Sequence, residues 1–234
     1  MRHVLPTADA LATAVAQRLV NQLLDAQRSG RLPAVGLTGG TIATAVHHAL
    51  GRVGPGSGVD WRAIDFWWSD ERFLAAGSPD RNDTGVLPIL STLGADPARV
   101  HPMPSYDADG PDAAAEQYAH QLRRLGVGEF EVLLLGVGED GHVASLFPHH
   151  PALEVDDRIV VGVSDSPKPP PERLSLTLPA LNRSREVWIV ASGAGKAAAV
   201  AAALRDGPVA DVPARGARGR LATRYWLDEA AAGR

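Results

Sequence analysis

Phe130-Glu131-Val132-Leu133-Leu134-Leu135-Gly136-Val137-Gly138-Glu139-Asp140-Gly141-His142 sets an apolar run of strand length against a charged, glycine-rich loop. A short run of this composition, ended by glycine, reads as a strand buried on both faces. Working outward, the same junction recurs. Ala34-Val35-Gly36-Leu37 enters Thr38-Gly39-Gly40-Thr41, and residues 42–50 continue with helical spacing. Residues 64–68 form an aromatic strand that enters Ser69-Asp70-Glu71-Arg72. Residues 187–191 enter Ser192-Gly193-Ala194-Gly195-Lys196, with a helix expected over 195–204. Further helices are expected over 10–24, where Leu11, Val15, Leu19 and Leu23 share a face, over 83–93 despite Pro88, and over 111–125. Further strands are expected over 159–163, 174–178 and 223–227, with Asp228 capping a short C-terminal helix. Strands separated by helices predict an α/β sandwich with a mostly parallel sheet. Ligands of such sheets bind at the carboxyl ends of the strands, so four loops are expected to converge on one crevice.

Composition narrows the function classes. A chain of 234 residues buries enough surface to fold without a disulfide or metal staple. It has no cysteine, which excludes disulfide scaffolds, Cys-ligated zinc, iron–sulfur clusters and thiol nucleophiles. A net charge of −4 argues against general binding to nucleic acid or anionic membranes. No apolar run approaches the ~18 residues of a membrane span. Asp9, Gln17 and Arg18 interrupt the apolar residues near the start, so no signal-peptide core is expected there. The Gly/Pro-rich stretches 54–58, 164–171 and 206–219 are too short to divide the chain. A single domain over 1–234, cytoplasmic and monomeric, is expected. Among 23 basic residues, only Lys168 and Lys196 are lysine, and a compact ammonium is not equivalent to a guanidinium.

Each junction carries a chemical option. Gly39-Gly40-Thr41 before a helix can cradle a phosphate: the glycines let the backbone approach an anion, the helix start offers free N–H groups, and Thr41 adds a hydroxyl. In Ser69-Asp70-Glu71-Arg72, Asp70 is a candidate base or orienter and Arg72 a candidate anion ligand. The 136–142 loop matches G-x-G-x-x-G, yet Glu139 and Asp140 put carboxylates where a pyrophosphate would lie. Pro148 also cuts short the helix expected from about Val143. The alternative is a sharp loop that lifts Asp140 and His142 into the crevice, where histidine is suited to proton transfer. Arg173 abuts a strand and is a candidate ligand, whereas Lys168 in Pro167-Lys168-Pro169-Pro170-Pro171 reads as part of a rigid surface connector. Lys196 opens a helix and can meet a single phosphate. Ala197 follows it where a nucleotide-binding P-loop needs Ser or Thr. His47-His48 and His149-His150 lack a third ligand at zinc spacing, so they point to no zinc site, and no cofactor is expected. Arg215, Arg218, Arg220 and Arg224 read as a solvated loop.

Taken together, Gly39-Gly40-Thr41, Trp68-Ser69-Asp70-Glu71-Arg72, the 134–148 segment with Asp140-Gly141-His142-Val143-Ala144-Ser145-Leu146-Phe147-Pro148, the 166–173 segment and Gly193-Ala194-Gly195-Lys196 resemble the 6-phosphogluconolactonase family in order and across nearly the whole chain. The resemblance implies a Rossmann-like three-layer α/β fold and a metal-independent hydrolase of 6-phospho-D-glucono-1,5-lactone in the oxidative pentose phosphate pathway. Ser78-Pro79-Asp80-Arg81-Asn82 loosely resembles the family's Ser-Asn loop, which implies Asn82 as a further substrate contact. On this basis His142 is the expected general base, oriented by Asp140 or Asp70, with Gly39, Gly40, Thr41, Arg173 and Lys196 on the phosphate and Arg72 on hydroxyls or developing charge. A sugar-phosphate isomerase or deaminase on the same scaffold is the competing enzyme, and a non-catalytic sugar-phosphate sensor the competing binder. The related deaminases carry Tyr after Asp-Glu and Asn-Glu-Pro after the His loop. Here Arg72 and Leu146-Phe147-Pro148 stand instead, which favours lactone hydrolysis.

Overall fold

The computed structural model describes residues 1–106 and 109–234. The chain opens with β1 (Arg2–Leu5) and α1 (Ala8–Arg28). Thr7 caps that helix by accepting the Ala10 N–H, and Leu11, Val15, Leu19 and Leu23 form its buried stripe, as their spacing dictates. Then follow β2 (Ala34–Leu37), α2 (Thr41–Val53), β3 (Asp65–Trp68), β4 (Asp70–Arg72), α3 (Leu87–Leu93) and α4 (Pro111–Arg124). The C-terminal half holds β5 (Val132–Gly136), β6 (Val160–Val163), β7 (Arg173–Leu176), α5 (Leu178–Leu181), β8 (Glu186–Ala191), α6 (Ala197–Ala203) and β9 (Ala222–Asp228).

Six strands form a sheet in the order β1-β9-β8-β5-β2-β3, with every neighbouring pair parallel and helices on both sides. The chain moves outward from β2 to β3 in one direction and from β5 through β8 to β9 in the other. The order therefore reverses between β2 and β5. At such a switch point the outgoing loops diverge and leave a crevice. The loops after β2 and β5 hold Gly39-Gly40-Thr41 and the His142 segment.

Several local expectations are corrected. Asp70-Glu71-Arg72 is not a loop but β4, which joins β7 and β6 in a second, antiparallel sheet. Its charges are tolerated in a strand because each finds a partner there. Residues 143–147 form no helix: Val143 and Leu146 close a tight turn through an isolated bridge. Asp228 caps turns rather than a helix, accepting the Ala231 N–H at 2.7 Å and the Gly193 N–H at 3.0 Å. The first strand, β1, pairs with β9 at the far end of the chain. The basic stretch near the C-terminus is largely partnered. Arg220 bonds Glu129, Arg224 bonds Glu186, and Arg215 donates to the Ala202 and Pro208 carbonyls. Trp67 and Trp68 are fully buried in the core and do not line the crevice.

Candidate active site

The loops after β2, β5 and β8, together with β4 and Asn82 beyond β3, surround a cavity of about 540 Å³. A fifth wall comes from Lys168 and Pro169 before β7 and from Arg173 at its start. Every residue expected from the sequence to act at the site lines this cavity except Asp140, which contacts it through His142.

The β2 loop contributes Gly39, Gly40 and Thr41. No side chain caps α2, so its first-turn amides are not taken by a capping group, and such amides favour an anion. Gly39 is required sterically: a Cβ there would overlap the Asn82 carboxamide. Asn82 is fixed in turn, its Nδ2 donating to the Asp70 carbonyl at 2.9 Å and its N–H to Glu71 Oε1 at 2.7 Å.

Glu71 is the organiser that sequence reasoning passed over. Fully buried, it accepts the amides of Arg72, Asn82 and Asp83 at 2.8, 2.7 and 3.0 Å. Burial and the neighbouring Asp83 push its carboxyl up to about 7, against those amide bonds and Arg81. Beside it, Arg72 reaches the Asp80 carbonyl at 2.5 Å. Asp70 does not bond His142. Its Oδ2 accepts the Ser145 hydroxyl at 2.8 Å, so it anchors the turn that follows the histidine rather than the imidazole.

The β5 loop is tightly closed. Gly138 N–H donates to the His142 carbonyl and Gly141 N–H to the Gly138 carbonyl, both at 2.9 Å. A Cβ on Gly138 would overlap His142 and Asp140. The loop thereby brings His142 Nδ1 to 2.5 Å from Asp140 Oδ1. A carboxylate only accepts, so Nδ1 carries the proton and the neutral ring leaves Nε2 as a base. Burial works against the Asp140 charge, but His142 and then Lys168 outweigh it and hold the carboxyl well below the usual range. The His142 ring packs against Phe147, with centroids 4.5 Å apart.

Arg173 is buried and largely committed. Its Nε donates to the Pro170 carbonyl, and Nη2 to the Lys168 and Pro169 carbonyls. It clamps the proline-rich segment, and among the described residues Nη1 has no hydrogen-bond partner in the protein. The Pro169–Pro170 bond is cis. Lys168 is no surface connector: it lines the cavity, with Nζ 3.3 Å from Asp140 Oδ1. The rarity of lysine was the signal for it. Lys196 also lines the cavity, after β8, on a loop tied to Asp228 through Gly193. Among the described residues, no group of three or more His, Asp or Glu side chains is placed to hold a metal, and no helix is long and apolar enough to cross a membrane.

Residues 6–226 match the family described as glucosamine-6-phosphate isomerases/6-phosphogluconolactonase. A 6-phosphogluconolactonase of Streptomyces coelicolor is 47% identical, the alignment covering 95% of this chain and 89% of that protein. The solved structure of a 6-phosphogluconolactonase from Thermotoga maritima superposes with a TM-score of 0.86 at 24% identity, covering 98% of this chain and 99% of that one. A monomeric glucosamine-6-phosphate deaminase superposes with a TM-score of 0.83 at 20% identity, covering 99% and 98%. The fold is thus shared with both a lactonase and a deaminase.

Proposed function

The chain belongs to the glucosamine-6-phosphate isomerase/6-phosphogluconolactonase family, and from that premise we propose that it hydrolyses 6-phospho-D-glucono-1,5-lactone to 6-phospho-D-gluconate. The observation that carries this is the His142–Asp140 pair opening on a cavity that Arg72, Lys168, Arg173 and Lys196 make cationic. A sugar phosphate brings about −1.5 to −2 charges, in proportion to two cations and a helix start.

The phosphate docks on the amides of residues 39–41, Lys196 and Arg173 Nη1, with Asn82 and Arg72 toward the sugar. Binding that remote group holds C1 near His142. Nε2 takes a proton from water as the water oxygen bonds to C1, and the Asp140 carboxylate stabilises the imidazolium. The C1–ring oxygen bond then breaks, and Nε2 returns its proton to the ring oxygen, which becomes the C5 hydroxyl. The new carboxylic acid loses its proton to solvent.

Phe147 favours this chemistry over amino-sugar opening. It lies against the His142 ring and beneath Arg173, 5.5 Å from its guanidinium carbon, where the deaminase pattern has an acid. A sensor needs no base with its tautomer fixed. We further propose that residues 1–234 form one domain, which a hydrophobic core running from α1 to β9 and beyond supports, and that it acts on its small-molecule substrate as a monomer in the cytoplasm. The test is the decay of freshly generated 6-phosphogluconolactone, coupled to 6-phosphogluconate dehydrogenase. Acceleration well above the spontaneous rate at catalytic protein concentration is expected. A folded protein that leaves the decay unchanged overturns the assignment.

A further inference from the structure

The chain's two lysines stand among 21 arginines, and both line the same cavity. Lys196 has a place in the binding of phosphate, whereas Lys168 has a different environment. Its Nζ lies 3.3 Å from Asp140 Oδ1 and 3.5 Å from His142 Nδ1. Because Nδ1–H already donates to Asp140, the ammonium and the imidazole do not bond each other but share one carboxylate oxygen.

The backbone beneath Lys168 is held in place. Its N–H donates to Ser166 Oγ at 3.3 Å, and its carbonyl accepts from Ser166 Oγ at 2.9 Å and from Arg173 Nη2 at 3.0 Å. Arg173 is itself buried. A long flexible side chain is thus delivered from a fixed root, which lowers the entropic cost of holding its head group at the carboxylate.

We propose that Lys168 is a positioning residue for the general base: it holds the Asp140 carboxylate that orients His142, and its positive charge opposes that of the imidazolium. The chemistry explains the choice of lysine. An ammonium is a point charge with three donors, able to bond one carboxylate oxygen while leaving donors free, whereas a planar guanidinium favours taking both oxygens. Opposing the imidazolium favours return of its proton to the ring oxygen. The other charged groups around His142 are Asp140 and Glu139 on its own loop, Asp70 and Arg72 from β4, Arg173 from β7 and Lys196 after β8. All remain in place when Lys168 alone is changed.

The kinetic part of this inference rests on the lactonase assignment; the titration part does not. The variants are Lys168→Met and Lys168→Arg. The measurements are kcat and KM across pH and the NMR titration of the His142 ring, assigned with His142→Asn. The Lys168 side chain is 42% exposed, so screening reduces the Coulomb effect. For Lys168→Met, the acid limb of kcat and the His142 midpoint are both expected to move to higher pH. In that variant kcat should fall about five- to twentyfold while KM changes by less than about threefold. Lys168→Arg keeps the charge and should restore the midpoint without restoring all of kcat. An unmoved His142 midpoint in a Lys168→Met protein that melts cooperatively overturns the proposal. So does a rise in KM at unchanged kcat, which would make Lys168 a substrate ligand like Lys196. If the wild type is inactive on the lactone, the assignment of function fails, and the titration still decides the role of Lys168.

Discussion

Replacing Gly138 by Ala removes no catalytic atom, yet it tests whether the geometry of the His142–Asp140 pair sets the rate. The added methyl group would fall among His142 Nδ1, His142 Cε1 and Asp140 Oδ1. Ordinary contact needs about 3.5 Å, and the space falls short of that by more than about 1 Å. The backbone cannot yield easily, because Gly138 is bonded to both His142 and Gly141 within the loop. The imidazole, 16% exposed toward the cavity, is the part free to swing. A misplacement of ~1 Å costs on the order of 100-fold in rate, or about 2.7 kcal/mol of transition-state stabilisation. The phosphate end is untouched, so KM should stay within about threefold. Gly138 does not lie at positive φ, so alanine can adopt its backbone conformation and the melting temperature should change little. Steady-state kinetics on the lactone, with a thermal melt of the same sample, make the test. A Gly138→Ala protein with kcat within about threefold of wild type would refute the claim that this pair must be held in register.

Two further outcomes follow from the same geometry. Lys196→Ala should raise KM for the phosphorylated lactone about tenfold or more, while turnover of unphosphorylated gluconolactone stays unchanged; equal losses on both substrates would remove Lys196 from the phosphate. Glu71 keeps a proton in the native state up to about 7, whereas its ordinary value is 4.5. The native state therefore binds more protons than the unfolded chain between those values, and the Glu71 contribution to stability is lost as pH rises through that window. Thermal melts of Glu71→Gln across the window should lose that slope, and a slope identical to wild type would place its origin elsewhere.

The inner strands β2, β5 and β8 were legible because each holds a short apolar run that enters a glycine-bearing turn, a local signal. The convergence of their loops was legible because parallel topology puts their carboxyl ends together. Pairings set from a distance were not. Arg2-His3-Val4-Leu5 becomes a strand only because β9 lies beside it. Asp70-Glu71-Arg72 reads as a charged loop until β7 and the 80–83 loop supply partners for its charges. Likewise, Lys168 reads as part of a stiff connector because nothing local shows that Arg173 folds the proline-rich segment back toward Asp140. His142 and Asp140 were legible because their pairing is local, two residues apart in a glycine loop. The place of Asp70 beside Ser145 was not, since the two are 75 residues apart.

The central claim is that His142 is the base of a lactone hydrolase in this cavity. It is tested most directly by comparing the initial rate of 6-phosphogluconolactone hydrolysis by wild type and by His142→Asn at equal concentration, above the spontaneous background. Wild type should hydrolyse the lactone rapidly, and the variant about 10²–10⁴-fold more slowly while still melting cooperatively. A folded His142→Asn protein with near-normal turnover would contradict it.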